Sequence, residues 1–302
     1  MPRSPAPIVV FAFNRPDHLA RTLRALAACE EAPASRLTIY CDGARRANDE
    51  PRVREVRAVA AAVSSFASVE VVARERNLGL AASIIDGVTS QVAQHGRVIV
   101  LEDDIVVSPH FLRYMNEGLA LYEHDEQVAS IHGYTYPVTE TLPETFFLRG
   151  ADCWGWATWA RAWRHFEPDG ERLLAELRHR KLTHEFDFDG SYPYTRMLED
   201  QVDGRNQSWA IRWHAACYLK DLLTLYPGRS LVENIGNDGS GTHCEPTSDF
   251  SQALAVSPIR GERIGVEPSR VGRDAFVSFF RKHRSVAARA RRYLERKLHI
   301  RR

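Results

Sequence analysis

Over the first hundred residues, short apolar runs alternate with segments in which apolar residues recur at helical spacing. Four runs, each bounded by polar or turn-forming positions, predict buried strands at 7–13, 37–41, 69–73 and 97–101. Apolar residues three or four apart predict the intervening helices: one that Asp17 caps and that carries Leu19, Leu23 and Leu26, and two more over 53–63 and 80–92. This alternation favours βαβ units, and therefore an α/β fold with a mostly parallel central sheet flanked by helices.

The pattern after residue 118 is less regular. It predicts short strands at 128–131, 146–148 and 225–226, and helices over 171–180 and within 194–222. A polar, proline-broken stretch predicts an extended connection over 244–270, and helical spacing returns over 273–300. We therefore expect one domain over 1–250, with halves 1–118 and 119–250, followed by an extended linker and a helical C-terminal extension over 251–302.

The composition is that of an ordinary globular chain. With 302 residues, 44% of them hydrophobic and 26% charged, the chain is long enough to bury a core, and extensive disorder is excluded. No run of ~18 uncharged apolar residues predicts a transmembrane helix, and Asn14, Arg15 and Asp17 interrupt the apolar stretch that a signal peptide would need. The five cysteines form no CxxC pair, so we expect reduced thiols and a cytoplasmic location.

The net charge of +1 conceals an uneven distribution. Residues 281–302 carry a net charge of +9, whereas the remainder carries −8. Apolar and basic residues interleave in this tail, which predicts a basic amphipathic helix that lies on an anionic membrane surface, at the inner face of the plasma membrane. A basic helix packed on the acidic body is the alternative, and we expect no nucleic acid partner.

Polar side chains follow all four predicted strands of the first half. Because the carboxyl ends of parallel strands meet at one edge, where α/β proteins bind their ligands, these side chains predict a polar binding site. They are Asn14 and Arg15 after the first strand, Asp42 after the second, Arg76 and Asn77 after the third, and Glu102, Asp103 and Asp104 after the fourth.

The three adjacent acids Glu102, Asp103 and Asp104 are the most specific of these signals. They repel one another unless a cation neutralises them, and their hard oxygen atoms suit Mn²⁺ or Mg²⁺, which retain waters and accept substrate phosphates. In an extended segment, Glu102 and Asp104 would point to one side and Asp103 to the other. A solvated acidic turn is the alternative.

Six segments of the chain, taken together, are characteristic of a known kind of protein. They are VVFAFNRPDHLARTLRAL, IYCDGAR, RNLGLAASIIDGV and VIVLEDDIVVSPHFLRYM in the first half, and CWGWATWARAW and SWAIRWHAACYLKDLLTLYPGRSLVENIGNDGSGTH in the second. The first four resemble the nucleotide-sugar half of GT-A-fold glycosyltransferases, with EDD and SPHF resembling N-acetylglucosaminyltransferase I and its relatives. The last two resemble a bacterial group of such transferases.

This resemblance implies a nucleoside-diphosphate sugar donor, usually a uridine nucleotide, and a divalent cation. It also implies roles for the residues at the strand ends. Phe13, Asn14 and Asp42 would surround the base, Arg76 and Asn77 would lie near the ribose or diphosphate, Glu102 and Asp103 would lie on the donor side with Asp103 on the ribose, and Asp104 would bind the metal.

The resemblance further implies an inverting reaction with an acidic base in the second half. The segment LEDQVDG is the best local match, which makes Asp200, and after it Glu199, the candidate base; surface acids are the alternative. The glycine-rich loop over 236–243 resembles the segment that closes over the donor diphosphate in many GT-A enzymes. His243 would then be an additional metal ligand.

All six tryptophans lie in the second half of the chain. Trp154 and Trp156 are candidates to present their indole faces to an acceptor sugar, with Gly155 allowing close approach. Packing in the core is the alternative, since aromatic residues carry much of the buried area of a protein.

Together these residues predict a metal-dependent, inverting glycosyltransferase. It would transfer a sugar from a UDP-sugar to a glycan or lipid-linked acceptor, in surface polysaccharide or glycoconjugate biosynthesis. A nucleotidyltransferase would need a glycine-rich basic loop after the first strand, where this chain has Asn14, Arg15 and Pro16. A non-catalytic sugar-binding module would not need the acidic triplet. No GxGxxG follows the first strand, which argues against a dinucleotide-binding oxidoreductase.

Overall fold

The first half of the chain builds the parallel part of a central sheet. The computed structural model describes residues 4–239 and 249–284. In it, β1 (Ile8–Ala12), β2 (Arg36–Cys41), β3 (Ser68–Ala73) and β4 (Arg97–Glu102) alternate with α1 (Pro16–Ala27), α2 (Glu50–Ala61) and α3 (Leu80–His95). β1 lies between β2 and β4, with Val10 beside Ile39 on one side and Leu101 on the other. The four strands predicted from the sequence are confirmed to within one residue at each end.

The second half inserts antiparallel strands and adds a group of helices. Its elements are β5 (Ile105–Val107), α4 (Phe111–Leu121), β6 (Val128–His132), β7 (Thr145–Arg149), β8 (Trp156–Trp159), α5 (Ala160–Trp163), α6 (Gly170–His179), α7 (Thr183–Phe186), α8 (Tyr194–Val202), α9 (Trp209–Leu219), β9 (Leu223–Pro227), β10 (Val232–Asn234) and α10 (Arg270–Arg284). The main sheet has the order β3-β2-β1-β4-β8-β6-β9-β7. β8 is antiparallel to β4 and β6, and β7 is antiparallel to β9, so the sheet is mixed but mostly parallel.

A small second sheet lies directly beside the acidic triplet. β5 begins one residue after Asp104 and pairs antiparallel with β10, so that Ile105 lies opposite Asn234. This pairing holds the segment after β10 against the end of β4. Strands of three residues leave little pattern in a sequence, and neither β5 nor β10 was predicted.

One apolar core runs through most of the described chain. It extends from Ala6 to Phe280 and joins the sheet to α10, while a second apolar cluster lies among helices α6 to α9. In the described part of the predicted connection, 249–269, there is no helix or strand, only an isolated bridge between Phe147 and Pro268. Residues of both this connection and α10 are nevertheless buried in the main core, among them Ala255, Ile259 and Phe276.

Three smaller expectations are settled by the described residues. The prediction that Asp17 caps the first helix is wrong, because Arg15 precedes the helix, Pro16 occupies its first turn and the Asp17 side chain is exposed. Cys29, Cys41, Cys153 and Cys217 are free thiols, as expected. Within 4–239 and 249–284, no helix is both long and apolar enough to cross a bilayer.

Candidate active site

The acidic triplet lies at the turn that ends β4. Asp103 and Asp104 form this turn between Glu102, the last residue of β4, and Ile105, the first of β5. Because the segment turns rather than continuing as an extended strand, both aspartates face the same guanidinium. Arg15 Nη2 contacts Asp103 Oδ1 and lies 2.8 Å from Asp104 Oδ2. The expectation that Asp103 and Asp104 point to opposite sides is therefore wrong.

Arg15 reaches the triplet from the neighbouring strand end. It follows β1 and precedes Pro16, so the backbone at the start of α1 fixes its position. Burial alone would lower the pKa of Arg15, but the charges of Asp103 and Asp104 outweigh it and the pKa is raised. The guanidinium therefore stays charged and neutralises a pair of carboxylates that are otherwise costly to bury.

Two carboxyl groups at this turn, those of Glu102 and Asp103, have raised pKa values. Burial, and then the charges of Asp104 and Asp103, raise the pKa of Glu102 above its ordinary value. Burial also raises the pKa of Asp103, although Arg15 offsets part of the effect. The Arg15 guanidinium contacts the two buried acids, Asp103 and Asp104, while Glu102 is partly exposed. A second positive charge at the turn would stabilise the ionised form of the Glu102 and Asp103 carboxyls and lower their pKa values again.

The segment after β10 packs over this turn. Ile235 N donates to Asp104 O at 2.9 Å, and a Cβ on Gly236 would overlap the Asp104 carboxylate. A glycine is therefore required for the close approach of this backbone. Further along, Asp238 Oδ2 lies 3.1 Å from His18 Nε2 on α1. His243, the predicted additional metal ligand, lies outside the described residues.

Asp42 organises the neighbouring strand end. Its carboxylate accepts four hydrogen bonds, from the backbone N–H groups of Gly43, Leu78 and Gly79 and from Asn77 Nδ2, all between 2.9 and 3.0 Å. The connection between β3 and α3 is thereby fixed against the end of β2. Two acceptor sites on each oxygen account for all four bonds. Asp42 and Asn77 lie together as expected, and their contact with a base or ribose stays a prediction.

The remaining nucleotide-side candidates lie around the connection between β2 and α2. The Arg45 guanidinium lies 4.7 Å from the centre of the Phe13 ring, and Asn14 Nδ2 donates to Asp49 Oδ1 at 3.4 Å. Arg76 is exposed, and its backbone packs against Gly43, where a Cβ would overlap it. Phe13, Asn14 and Arg76 thus surround the predicted edge, with roles that stay predictions.

The two candidate bases lie on α8, which packs against α6, α7 and α9. Glu199 pairs with Arg178 at 2.8 Å, and Asp200 pairs with Arg196 at 3.1 Å and also with Arg205. None of the contacts described above for the triplet involves them. Paired acids on a helix surface are the alternative that the sequence left open, and their role as the base stays a prediction.

The tryptophan candidates separate into two environments. Trp156 is 0% exposed and packs against Trp163, Trp209 and Trp213, with the Trp209 ring stacked at 5.4 Å between centroids. Its predicted contact with an acceptor sugar is therefore wrong, because its faces are filled by other indoles. Trp154 is half-buried, with Tyr134 at 4.7 Å between ring centroids.

Gly155 also serves packing rather than a ligand. Its φ is +64°, and a Cβ would overlap the Val232 side chain and crowd Ile105 and Phe111. The close approach that glycine allows here is between β8 and the small sheet of β5 and β10. The predicted contact of Gly155 with a sugar is therefore replaced by a contact within the protein.

The donor atoms at the turn suit a hard divalent cation. In the residues that the structure describes, no group of three His, Cys, Asp or Glu side chains converges as a metal site. Mg²⁺, which suits the same hard oxygen ligands as Mn²⁺, needs only one or two carboxylates, since waters and substrate phosphates complete its shell. Asp103 and Asp104 supply such a pair, and Asp104 retains 9% exposure.

Sequence reasoning named Arg15 as a polar strand-end residue but assigned it no role, and it did not single out Arg45. The signal for Arg15 was its place directly after β1, beside the predicted triplet. No local pattern identifies Arg45, because its contact with Phe13 depends on how the connection after β2 folds back.

Comparisons with known proteins found a family model that is similar to the first half of the chain. Residues 2–146, just under half of the chain, match the model of the family described as Glycosyltransferase like family 2. A search of curated proteins found no match. Nothing in these comparisons gives a specific relationship to N-acetylglucosaminyltransferase I.

Solved structures of glycosyltransferases are similar to part of the chain. They include the mannosyltransferase PcManGT from Pyrobaculum calidifontis, in complex with GDP-Man and Mn²⁺ (12% identity, TM-score 0.32, 45% of this chain and 37% of that one). The galactosyltransferase LgtC is 12% identical (TM-score 0.33, 58% and 65%). Glucosyl-3-phosphoglycerate synthase from Mycobacterium tuberculosis, in complex with Mn²⁺ and UDP, is 11% identical (TM-score 0.32, 54% and 58%).

The chain spans less than two thirds of each of these three structures. Residues 2–146 are similar to this glycosyltransferase family model, and the mixed, mostly parallel α/β sheet that they begin is GT-A-like.

Proposed function

We propose that the chain transfers a sugar from a nucleoside-diphosphate sugar, with UDP-sugars as the first donor class to test, to a glycan or lipid-linked acceptor. The observation that carries this proposal is the pair Asp103 and Asp104, held by Arg15 at the carboxyl edge of β1 and β4. That edge lies within the segment that matches the glycosyltransferase family model. Inversion at the transferred sugar carbon is part of the proposal.

The residues at this edge have separate roles in the proposed reaction. Asp42 and Asn77 fix the connection beside the base and ribose, and Asp103 and Asp104 would hold Mn²⁺ or Mg²⁺. A bound cation would supply positive charge to the diphosphate as it leaves. Arg15 supplies a second, permanent positive charge close by, which stabilises the same developing charge. The backbone of Ile235 and Gly236 packs against the turn and limits access of water to Asp104.

Calorimetric binding of nucleotides tests this proposal. We expect UDP to bind in the presence of Mn²⁺, and its affinity to fall at least about tenfold, or about 1.4 kcal/mol, in EDTA or in Asp104→Asn. GDP and CMP serve as nucleotide controls. Asp17→Asn is the matched variant, because Asp17 is an exposed acid on α1 outside the site, and it should bind UDP as the unmodified chain does.

Each result has a distinct meaning. Stronger binding of GDP than of UDP would keep the enzyme class and change the donor. Failure of every nucleotide to bind, with or without metal, would contradict the proposed function. A non-catalytic sugar-binding module would remain consistent with that outcome.

A further inference from the structure

A positively charged side chain of the protein lies between the two carboxylates that would hold a metal ion. Arg15 Nη2 contacts Asp103 Oδ1 and lies 2.8 Å from Asp104 Oδ2, so one nitrogen atom joins both acids. The Arg15 side chain is 19% exposed, and those of Asp103 and Asp104 are 4% and 12% exposed. The free protein therefore already supplies a cation to the pair of acids that would bind Mn²⁺ or Mg²⁺.

The backbone after β10 closes the space around the same atoms. Ile235 N donates to Asp104 O at 2.9 Å, and a Cβ on Gly236 would overlap Asp104 Oδ2 and lie 3.0 Å from Arg15 Nη1. Asp104 Oδ2 is thus enclosed between the guanidinium and this backbone. A divalent cation that binds Oδ2 has to take the place of Arg15 Nη2, and one that binds the other oxygen of this carboxylate lies only a few ångströms from it.

The charge of Arg15 persists when a second cation approaches. Burial lowers the pKa of Arg15, but the charges of Asp103 and Asp104 outweigh it and raise the pKa above its ordinary value. A guanidinium also keeps its proton in proteins. Two like charges a few ångströms apart repel each other, and they do so more strongly at a site that is mostly shielded from water. Sharing the pair of acids between Arg15 and a divalent cation therefore costs free energy.

An anion at the turn would remove this conflict. A diphosphate carries several negative charges, and both arginine and hard divalent cations bind phosphate oxygens. The backbone of Arg15 is fixed, because Arg15 O accepts a hydrogen bond from Leu19 N at 3.0 Å and Pro16 begins α1 directly after it. The long side chain can still turn about its own bonds, away from Asp104 and towards a neighbouring phosphate. A diphosphate would then lie between two cations that repel each other in its absence.

We propose that Arg15 opposes binding of a divalent cation to the free protein, and that a nucleoside diphosphate relieves this opposition by drawing the guanidinium away from Asp104. This inference rests on the proposed function and concerns the order in which that site is filled. Metal and nucleotide then strengthen each other's binding by the same factor, because such a coupling is reciprocal. We therefore expect the site to hold metal mainly while a donor is bound.

Titration of the unmodified chain with Mn²⁺ alone, and again with saturating UDP, measures this coupling. The electron paramagnetic resonance signal of aqueous Mn²⁺ gives the free concentration, and a titration of UDP without protein corrects for Mn²⁺ that the nucleotide binds by itself. We expect UDP to strengthen Mn²⁺ binding to the protein at least about tenfold, which is about 1.4 kcal/mol. Equal affinity with and without UDP would overturn the inference.

Substitution of Arg15 separates its charge from the direct contact between metal and phosphate. Arg15→Met keeps much of the length of the side chain and removes the charge, so Mn²⁺ should bind the free variant at least about tenfold more tightly than the unmodified chain. Mn²⁺ without nucleotide should also raise the midpoint of thermal unfolding more in this variant, because a metal that binds the folded state stabilises it. Arg21→Met makes the same change at an exposed position of α1 and should leave Mn²⁺ affinity unchanged.

A second pair of variants allows for the loss of stability expected when Arg15 is removed. Adding Asp103→Asn to Arg15→Met removes one of the two carboxylates that Arg15 neutralises and leaves Asp104 in place. This double variant should bind Mn²⁺ at least about tenfold more tightly than Asp103→Asn alone, in which Arg15 still faces Asp104. Circular dichroism establishes that each variant is folded before it is titrated.

The outcomes separate this inference from the proposed function. If folded variants without Arg15 bind Mn²⁺ no more tightly than their references, the inference is overturned, while UDP binding that depends on Mn²⁺ would still support the proposed function. If no nucleotide binds to the unmodified chain, with or without metal, the proposed function fails and the inference fails with it. Tighter Mn²⁺ binding in the variants, together with coupling to UDP in the unmodified chain, supports both.

Discussion

Arg15 neutralises two carboxylates at the edge of the sheet, and this contact organises the candidate site. Its guanidinium is mostly buried and bridges Asp103 and Asp104, and Thr22 Oγ1 donates to Asp103 O at 2.8 Å behind them. Removing one partner of a buried ion pair leaves the other charge uncompensated, which costs far more than removing both. Comparing a variant of Arg15 alone with a double variant of Arg15 and Asp103 therefore separates the effect of the Arg15 charge from that of its packing.

We predict that Arg15→Met lowers the free energy of unfolding by about 3 kcal/mol, because it leaves two acids buried without a cation. Adding Asp103→Asn to this variant should recover about 1–2 kcal/mol, since one of the uncompensated charges is then removed. Urea unfolding of the single and double variants at pH 7 measures both effects. Additive losses in the double variant would show that Arg15 and Asp103 are not coupled.

The residues of the site could be predicted from the sequence more readily than their pairing. Asp42, Asn77 and the acidic triplet follow apolar runs, and the carboxyl ends of parallel strands meet at one edge. The contact of Arg15 with both aspartates depends on a turn at Asp103 and Asp104, whereas the expected side-chain directions assumed an extended segment after the strand over 97–101.

At the scale of elements, β8 separates two environments within a few residues. It lies antiparallel between β4 and β6, and its first residue, Trp156, enters the tryptophan cluster with Trp163, Trp209 and Trp213. Trp154, just before the strand, stays half-buried. The segment WGWATWARAW does not distinguish these positions, because β8 is a four-residue strand followed directly by the helix α5.

This difference gives opposite expectations for two tryptophans that are two residues apart. Trp156→Ala should lower the free energy of unfolding by about 3–5 kcal/mol, because it leaves a cavity in a filled cluster. Trp154→Ala should cost less stability and should weaken binding of an acceptor sugar while leaving nucleotide affinity unchanged. Thermal unfolding and calorimetry of both variants check this contrast. Equal losses of stability would contradict the placement of Trp154 at an accessible surface.

At the scale of the whole molecule, the parallel half was predictable and the order of the other strands was not. β1 to β4 each follow from a local apolar run and a helix. β8, β6, β9 and β7 are placed by pairings between distant segments, such as Phe146 with Tyr226. Local periodicity carries no information on such partners. The same limit applies to α10, whose helix was expected but whose packing of Phe276 and Phe280 into the main core was not.

The distribution of charge is the other property of the whole molecule, and it leads to a prediction about membranes. Most of the basic tail lies outside the described residues, so its role rests on sequence: residues 285–302 carry a net charge of +6, with Leu294, Leu298 and Ile300 among the arginines. Each basic residue near an anionic surface contributes about 1 kcal/mol. The chain should therefore sediment with phosphatidylglycerol-containing vesicles at low salt, and a chain without 285–302 should not.

The double substitution Arg291→Glu and Arg292→Glu keeps the length and apolar residues of the tail while it reverses two charges. It should weaken vesicle binding substantially, and 0.5 M NaCl should do the same to the unmodified chain, because the screening length falls below about 8 Å. UDP binding should be unaffected in either variant, since the site lies at the edge of β1 and β4. Equal sedimentation with purely zwitterionic vesicles would show that charge does not drive the association, whereas no sedimentation with either vesicle would favour the alternative of a basic helix packed on the acidic body.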